Sequence, residues 1–124
     1  MINKYAKGYA AERQMLHTLA GMGYMVMRAP HSGSTSLASP DIIAAKHGKL
    51  LAIECKSRKG AFSIPVEQLN ELKEWEEKAG AKPYIGWKIA RKGWTFLHLK
   101  DVYENRGNVG KKFAEEKGIS INDI

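Results

Sequence analysis

The sequence predicts an α/β fold in which helices flank a central mixed five-stranded sheet, with the elements in the order α-β-β-β-α-β-β. Two segments repeat their apolar residues at helical spacing, whereas five shorter runs are continuous and apolar, bounded by turn residues. The second helix lies between strands and is long enough to cross the sheet, so its flanking strands can pair in parallel. A chain of 124 residues is about the size of one domain.

The first helix, strand and loop follow from spacing and from breaker residues. Residues 3–22 carry apolar side chains near helical spacing, and Gly21 and Gly23 end the segment. The run "YMVMRA" at residues 24–29 predicts a strand. Residues 30–39, "PHSGSTSLAS", are rich in Ser and Gly and predict a flexible loop.

A strand hairpin and a second helix follow this loop. Residues 41–57 read as two strands joined by a turn with His47 and Gly48 at its tip. From residue 65 to 78 an apolar residue recurs every third position, which predicts an amphipathic helix with Pro65 at its start and Gly80 after its end.

The end of the chain holds two more strands and a tail. The runs "KPYIGWKIA" and "WTFLHL" predict strands around a turn at residues 91–93. We assign residues 1–100 to one domain. Residues 101–124 form a C-terminal tail for which the sequence allows either a short helix or a mobile segment.

The charge distribution favours a polyanionic partner. The net charge is +7, and the first 64 residues contain nine basic residues against three acids, which are Glu12, Asp41 and Glu54. The single Cys55 excludes an intrachain disulfide and a multi-cysteine zinc site. We find no apolar stretch of membrane-spanning length and no signal peptide, and we expect a soluble intracellular protein without a small-molecule cofactor.

The three residues Asp41, Glu54 and Lys56 form the candidate site. Because side chains alternate along a strand, Glu54 and Lys56 share one face about 6.6 Å apart. Asp41 precedes the turn by about as many residues as Glu54 follows it, so the two carboxylates face each other and repel unless a proton or cation lies between them. Oxygen ligands, with the backbone carbonyl of Cys55 as a further one, suit Mg²⁺ or Mn²⁺. Lys56 could orient a water and stabilise the charge of phosphodiester hydrolysis.

The residues alone also allow a second interpretation, an ordinary cross-strand ion pair on a solvated sheet face. Three features favour the metal site. Pro40 precedes the Asp, the strand is apolar on both faces, and Glu12 is the only other acid in this half of the chain.

Pro40-Asp41, followed thirteen positions after the Asp by Glu54-Cys55-Lys56, resembles the PD-(D/E)xK nuclease core. With "KGYAAERQMLHTLAGMGYMVMRAPHSGS", "IECKSRKG", "EQLNELKEW" and the late "GW", the stretch from about residue 7 to residue 97 resembles archaeal-type Holliday junction resolvases. The resemblance implies a restriction-endonuclease-like core. It also implies a homodimeric, Mg²⁺-dependent endodeoxyribonuclease, with Mn²⁺ as substitute, that resolves four-way DNA junctions by paired symmetric nicks in the cytoplasm of an archaeal or virus-infected host cell.

The resemblance assigns roles to individual residues. Glu12 would lie near the metal, bound directly or through a water, and Ser32 would approach the scissile phosphate. The implied catalytic set is therefore Glu12, Ser32, Asp41, Glu54 and Lys56. The implied DNA contacts are Arg13, Arg28, Arg58 and Lys59, to which we add Lys7 and His31 as candidates.

Two alternative functions remain open from the sequence. The first is another PD-(D/E)xK nuclease, a restriction- or repair-type enzyme that cuts linear duplex DNA. The second is a non-catalytic basic module that binds nucleic acid, in which the carboxylates only pair with Lys56. Substrate preference distinguishes the first alternative, and metal dependence distinguishes the second.

Overall fold

The chain alternates helices and short strands. The computed structural model describes residues 4–29, 37–89 and 91–124, with side chains from Tyr9 onward. The predicted order α-β-β-β-α-β-β is present up to His98, with one short additional strand before the second long helix. The elements are α1 (Lys4–Gly21), β1 (Met25–Arg28), β2 (Ile42–Lys46), β3 (Lys49–Ser57), β4 (Phe62–Ser63), α2 (Val66–Ala79), β5 (Lys82–Ile89), β6 (Gly93–His98), α3 (Leu99–Glu104), β7 (Asn108–Val109), α4 (Lys111–Lys117) and a 3₁₀ turn (Ile121–Asp123).

Five strands form one mixed sheet in the order β1-β2-β3-β5-β6, which confirms the predicted fold class. The pair β3 and β5 is parallel, and the other three pairs are antiparallel. Helix α2 makes the crossover that a parallel pair requires. Strand β3 is therefore the central strand, and its run from Leu51 to Ile53 is fully buried.

The β2–β3 hairpin is closed by the predicted two-residue turn. His47 and Gly48 both have positive φ angles, of 45° and 80°, which is the backbone conformation of a type I′ turn. The register pairs Lys46 with Lys49 at the turn and Ile42 with Ile53 at the far end. One step beyond this last pair, the chain reaches Asp41 on one side and Glu54 on the other.

The two faces of the sheet carry separate apolar cores. On one face, Leu69 and Leu72 of α2 pack with Ala52 and Ile85. On the other face, Met15 and Leu19 of α1 pack with strand residues that include Ile53. Successive side chains of β3 point to opposite faces of the sheet, with Ala52 on the α2 side and Ile53 on the α1 side. Glu54 and Lys56 therefore lie on the α2 side, and Cys55 lies on the α1 side.

Residues 101–124 fold against the sheet. Strand β7 pairs with β4 through Phe62 and Val109, and Ile119 exchanges two backbone hydrogen bonds of 2.8 and 2.9 Å with Phe96. Short helices were one of the two outcomes that the sequence allowed for this tail. Helix α3 runs through the position where we divided the chain, because it begins at Leu99. In the described part of the chain, no helix combines the length and the apolar composition needed to cross a membrane.

Candidate active site

The carboxylates of Asp41 and Glu54 lie next to each other at the open end of the β2–β3 hairpin. The backbone N–H of Cys55 donates a 2.7 Å hydrogen bond to Oδ2 of Asp41. Asp41 is only 5% exposed, and the Glu54 side chain is 15% exposed. The hairpin therefore holds two acids side by side in a largely dry environment, as the spacing from the turn predicted.

Placing the two carboxylates together changes the pKa of Glu54. Burial, and then the neighbouring charge of Asp41, raise the pKa of Glu54 from its ordinary 4.5 to about 8, while the Lys56 ammonium acts in the opposite direction. Without a cation, one proton therefore stays on the pair at neutral pH. A divalent cation between the two groups would allow both to be ionised.

Lys56 lies on the same face as Glu54, as the strand alternation predicted. Its Nζ atom is 3.6 Å from Oε2 of Glu54 and donates a 3.1 Å hydrogen bond to Oε1 of Gln68. Gln68 is not among the predicted site residues, although it lies within the stretch "EQLNELKEW" that carries part of the family resemblance. The signal that could have found it is the crossover, because a helix that returns a strand beside β3 must pass over the face of β3 that carries Lys56.

Glu12 reaches the site from α1 and is tied to β1. Its Oε2 atom accepts a 2.9 Å charge-assisted hydrogen bond from Nε of Arg28, and the Arg28 guanidinium lies 4.1 Å from the centre of the Tyr9 ring. Glu12 is itself buried, with 8% exposed. The basic residue that the resemblance assigned to DNA thus also holds an acid of the candidate site.

One cleft of about 220 Å³ joins these groups. Its lining residues include Glu12, Asp41, Glu54 and Lys56, together with the exposed Arg58. A second recess of about 180 Å³ lies on the α2 side of the carboxylate pair and is lined in part by Gln68 and Glu71. Glu71 is likewise absent from the predicted site residues.

A family model described as archaeal Holliday junction resolvase (Hjc) matches residues 3–124. The chain belongs to the archaeal Holliday junction resolvase family. Two curated members of this resolvase family, both named crossover junction endodeoxyribonuclease Hjc, are similar to it over most of their length. The protein of Sulfolobus acidocaldarius is 42% identical over 122 residues, which cover 96% of this chain and 82% of the relative. That of Sulfurisphaera tokodaii is 35% identical over 129 residues, covering 100% and 89%.

Solved structures agree with this family assignment and with the predicted fold. The Hjc Holliday junction resolvase of Archaeoglobus fulgidus superposes with a TM-score of 0.85 at 25% identity, covering 94% of this chain and 98% of that one. The bacterial homing endonuclease I-Ssp6803I superposes with a TM-score of 0.56 at 16% identity, over 87% and 73% of the two chains. The second likeness shows the shared endonuclease fold alone. The resemblance that the motifs carried is therefore confirmed at the level of family and fold.

The oxygen donors in the cleft of this resolvase-family chain fit a hard divalent cation. The family is one of divalent-metal-dependent nucleases. Asp41 and Glu54 supply two carboxylates on strands that hold them together, and the raised pKa of Glu54 indicates a deficit of positive charge between them. Among the residues whose positions are described, no three Asp, Glu, His or Cys side chains converge closely enough to hold a metal ion by themselves. A cation here would take its remaining ligands from backbone, water or substrate oxygens.

Only some of the other predicted site residues lie in the described part of the chain. Arg13, Arg58 and Lys59 are exposed. Ser32 and His31 fall within residues 30–36, outside the described residues, and the side chain of Lys7 is also outside the described part of the chain. Ala38, whose carbonyl accepts a 3.0 Å hydrogen bond from Nε1 of Trp75, fixes the chain to α2 three residues before Asp41.

Proposed function

We propose that this chain is a divalent-metal-dependent, structure-selective endodeoxyribonuclease that resolves four-way DNA junctions by paired symmetric nicks. The observation that carries the proposal is the close grouping of Asp41, Glu54 and Lys56 in one cleft of a resolvase-family fold. Two acids can bind the metal ion, and an ammonium beside them can stabilise the negative charge of phosphodiester hydrolysis. The similar protein of Sulfolobus acidocaldarius is named a crossover junction endodeoxyribonuclease.

Asp41 and Glu54 are the proposed ligands of Mg²⁺, with Mn²⁺ as substitute, and the Cys55 carbonyl is a third. When bound, the ion supplies Lewis-acid stabilisation of the phosphate oxygens and lowers the pKa of a coordinated water. The proposed role of Glu12 is to bind at the edge of the same site, directly or through a water. Its hydrogen bond to Arg28 fixes its carboxylate toward β1, which favours the water-mediated arrangement.

Lys56 is the proposed catalytic cation. Its ammonium lies 3.6 Å from the Glu54 carboxylate and lines the cleft, so it can orient the attacking water and stabilise negative charge on the phosphate as the P–O bond to the leaving oxygen breaks. The family resemblance adds Ser32 as a residue that approaches the scissile phosphate. Each of these roles acts on the phosphodiester and none reads a base.

The proposed DNA contacts are basic residues around the cleft. Arg58 borders it, the exposed Lys59 follows just after β3, and Arg13 is exposed on α1 next to Glu12. Contacts of this kind bind the sugar-phosphate backbone and select a junction by its shape rather than by its sequence. The remaining proposed contacts are Arg28, Lys7 and His31.

A homodimer completes the proposal. A single cleft holds one candidate site, whereas symmetric resolution requires one cut in each of two strands of the junction. Two copies related by a two-fold axis would present two clefts to the two-fold symmetric junction. We place the enzyme in the cytoplasm of the cell, where recombination intermediates form.

The deciding experiment compares a synthetic four-way junction with a linear duplex of the same arm sequence, with Mg²⁺ and with EDTA. We expect two symmetric nicks in the junction, only with Mg²⁺, and little cutting of the duplex. Equal cutting of the duplex would favour a restriction- or repair-type nuclease instead. Junction binding without cleavage at any Mg²⁺ or Mn²⁺ concentration would leave only a non-catalytic DNA-binding module.

A further inference from the structure

The Lys56 ammonium is held between two side chains of different charge. Glu54 lies 3.6 Å away, and Gln68 accepts its hydrogen bond at 3.1 Å. We propose that Gln68 is a positioning residue that fixes the Lys56 ammonium within the cleft and keeps it from closing onto the carboxylate pair. This inference rests on the proposed catalytic role of Lys56.

The distances show that Lys56 interacts differently with its two neighbours. A charge-assisted hydrogen bond between an ammonium and a carboxylate closes to about 2.7–2.9 Å. The 3.6 Å separation from Glu54 is longer than that, whereas the contact with the neutral amide of Gln68 is within hydrogen-bonding range. The hydrogen bond of Lys56 is therefore directed to Gln68, and Glu54 is left with oxygen atoms available for a cation.

A lysine needs such a partner more than an arginine would. Its ammonium is a compact charge on a flexible four-carbon stem, with no planar fork to fix its direction. A second carboxylate at position 68 would also fix Lys56, but it would add negative charge beside Asp41 and Glu54. An uncharged acceptor of the length of Gln fixes the ammonium without changing the charge of the site.

The fold places Gln68 rigidly. Its neighbour Leu69 and the next-turn Leu72 are each only 2% exposed, which anchors the first half of α2 on the sheet. Helix α2 also joins β3 to β5, and the parallel register pairs Lys56 directly with Trp87. Gln68 and Lys56 thus both lie on packed elements, α2 and β3, and the packing of these elements fixes the distance between them.

The location of Gln68 beside the carboxylates gives it access to the reaction. It lines the recess of about 180 Å³ that also contains Asp41 and Glu54, and its side chain is half-buried. A purely structural helix residue would affect stability alone. A positioning residue affects the rate of the bound complex at constant affinity.

The test uses the full chain with three variants. Gln68→Met keeps the length of the side chain but cannot accept the hydrogen bond in the same way, Gln68→Glu keeps the acceptor, and Asn70→Ala changes an exposed position of the same helix. The measurements are the single-turnover cleavage rate of a four-way junction at saturating protein, the dissociation constant for that junction, and the thermal unfolding midpoint.

We expect Gln68→Met to lower the single-turnover rate roughly 10- to 100-fold, as loss of an outer partner of a catalytic group does, with unchanged junction affinity and unfolding midpoint. Gln68→Glu should recover part of the rate, and Asn70→Ala should match the wild type. A Met variant as fast as the wild type, or a rate loss explained by weaker binding or unfolding, would overturn the inference. Failure of the wild type to cut would overturn the proposed function instead.

Discussion

The backbone N–H of Cys55 donates a 2.7 Å hydrogen bond to Oδ2 of Asp41. This bond ties a carboxylate that stands just before β2 to the central strand, which carries the other acid and the lysine of the candidate site. Asp41 is therefore oriented by the sheet rather than by the segment that precedes it. The same bond fixes the direction of the carboxylate that we propose as a ligand, beside Glu54, of the divalent cation.

The first prediction concerns the charge of Asp41. Asp41→Asn keeps an oxygen that can accept from Cys55 but removes the negative charge from the pair. We expect junction cleavage to fall by at least about 100-fold while the junction dissociation constant changes little. Single-turnover assays and gel-shift titrations measure the two quantities. Asp123→Asn, an exposed position in the 3₁₀ turn, is the matched control, and full activity in Asp41→Asn would refute the assigned site.

A second prediction concerns the pH dependence of stability. Because the pKa of Glu54 is raised from 4.5 to about 8, the folded chain binds more protons than the unfolded chain between these values. The free energy of unfolding contributed by Glu54 is therefore full below about 4.5 and is lost as pH rises toward about 8. We expect the unfolding midpoint in EDTA to fall across this range, and to fall less in Glu54→Gln.

Added Mg²⁺ should act most strongly at the alkaline end of that range. A cation that binds the ionised pair stabilises the folded chain by mass action, and it competes with the proton at lower pH. Thermal unfolding scans with Mg²⁺ and with EDTA measure this. An equal Mg²⁺ effect in wild type and in Glu54→Gln at every pH would contradict the proposed ligand.

The third prediction compares the contributions of two arginines, Arg28 and Arg13, to the free energy of unfolding. Arg28 donates a hydrogen bond to the buried Glu12, whereas Arg13 is exposed on α1. We expect Arg28→Ala to lower the free energy of unfolding by about 1–3 kcal/mol, since it withdraws a charged donor from a buried carboxylate. Arg13→Ala should stay within about 0.5 kcal/mol of the wild type. Urea unfolding gives both values, and equal losses would assign no structural role to the Glu12 contact.

Much of the site could be predicted because a strand has a period of two and a hairpin has a fixed register. The turn at His47 and Gly48 determined which residue faces Glu54, and alternation determined that Lys56 shares its face. The mixed sheet followed from the length of the crossover helix between β3 and β5. Both inferences use local sequence patterns, which is why they held.

The contacts that were missed join residues far apart in the chain. Gln68 meets Lys56 twelve positions away, and Arg28 meets Glu12 sixteen positions away. Separations of twelve and sixteen residues match no helix, strand or turn spacing, so local sequence patterns could not predict either pairing. The pairing of β4 with β7 was missed for a related reason, because two-residue strands are too short to give an alternating pattern.

The last prediction tests whether residues 101–124 unfold together with the sheet. Val102 of α3 is fully buried in the core on the α2 side. Val102→Ala removes two buried methyl equivalents, a loss of about 2 kcal/mol with the residual cavity, but Ala favours the helix over Val by about 0.6 kcal/mol. We therefore expect a net loss of about 1–2 kcal/mol in urea unfolding.

Lys112→Ala, exposed on α4, is the control and should change stability by less than about 0.5 kcal/mol. If the tail is part of the cooperative unit, Val102→Ala shifts a single transition to lower urea without changing its slope. The slope depends on the surface exposed on unfolding, so it stays constant only when the same residues unfold together. A separate early transition, or no shift at all, would show that the tail folds independently of the sheet that carries Asp41, Glu54 and Lys56.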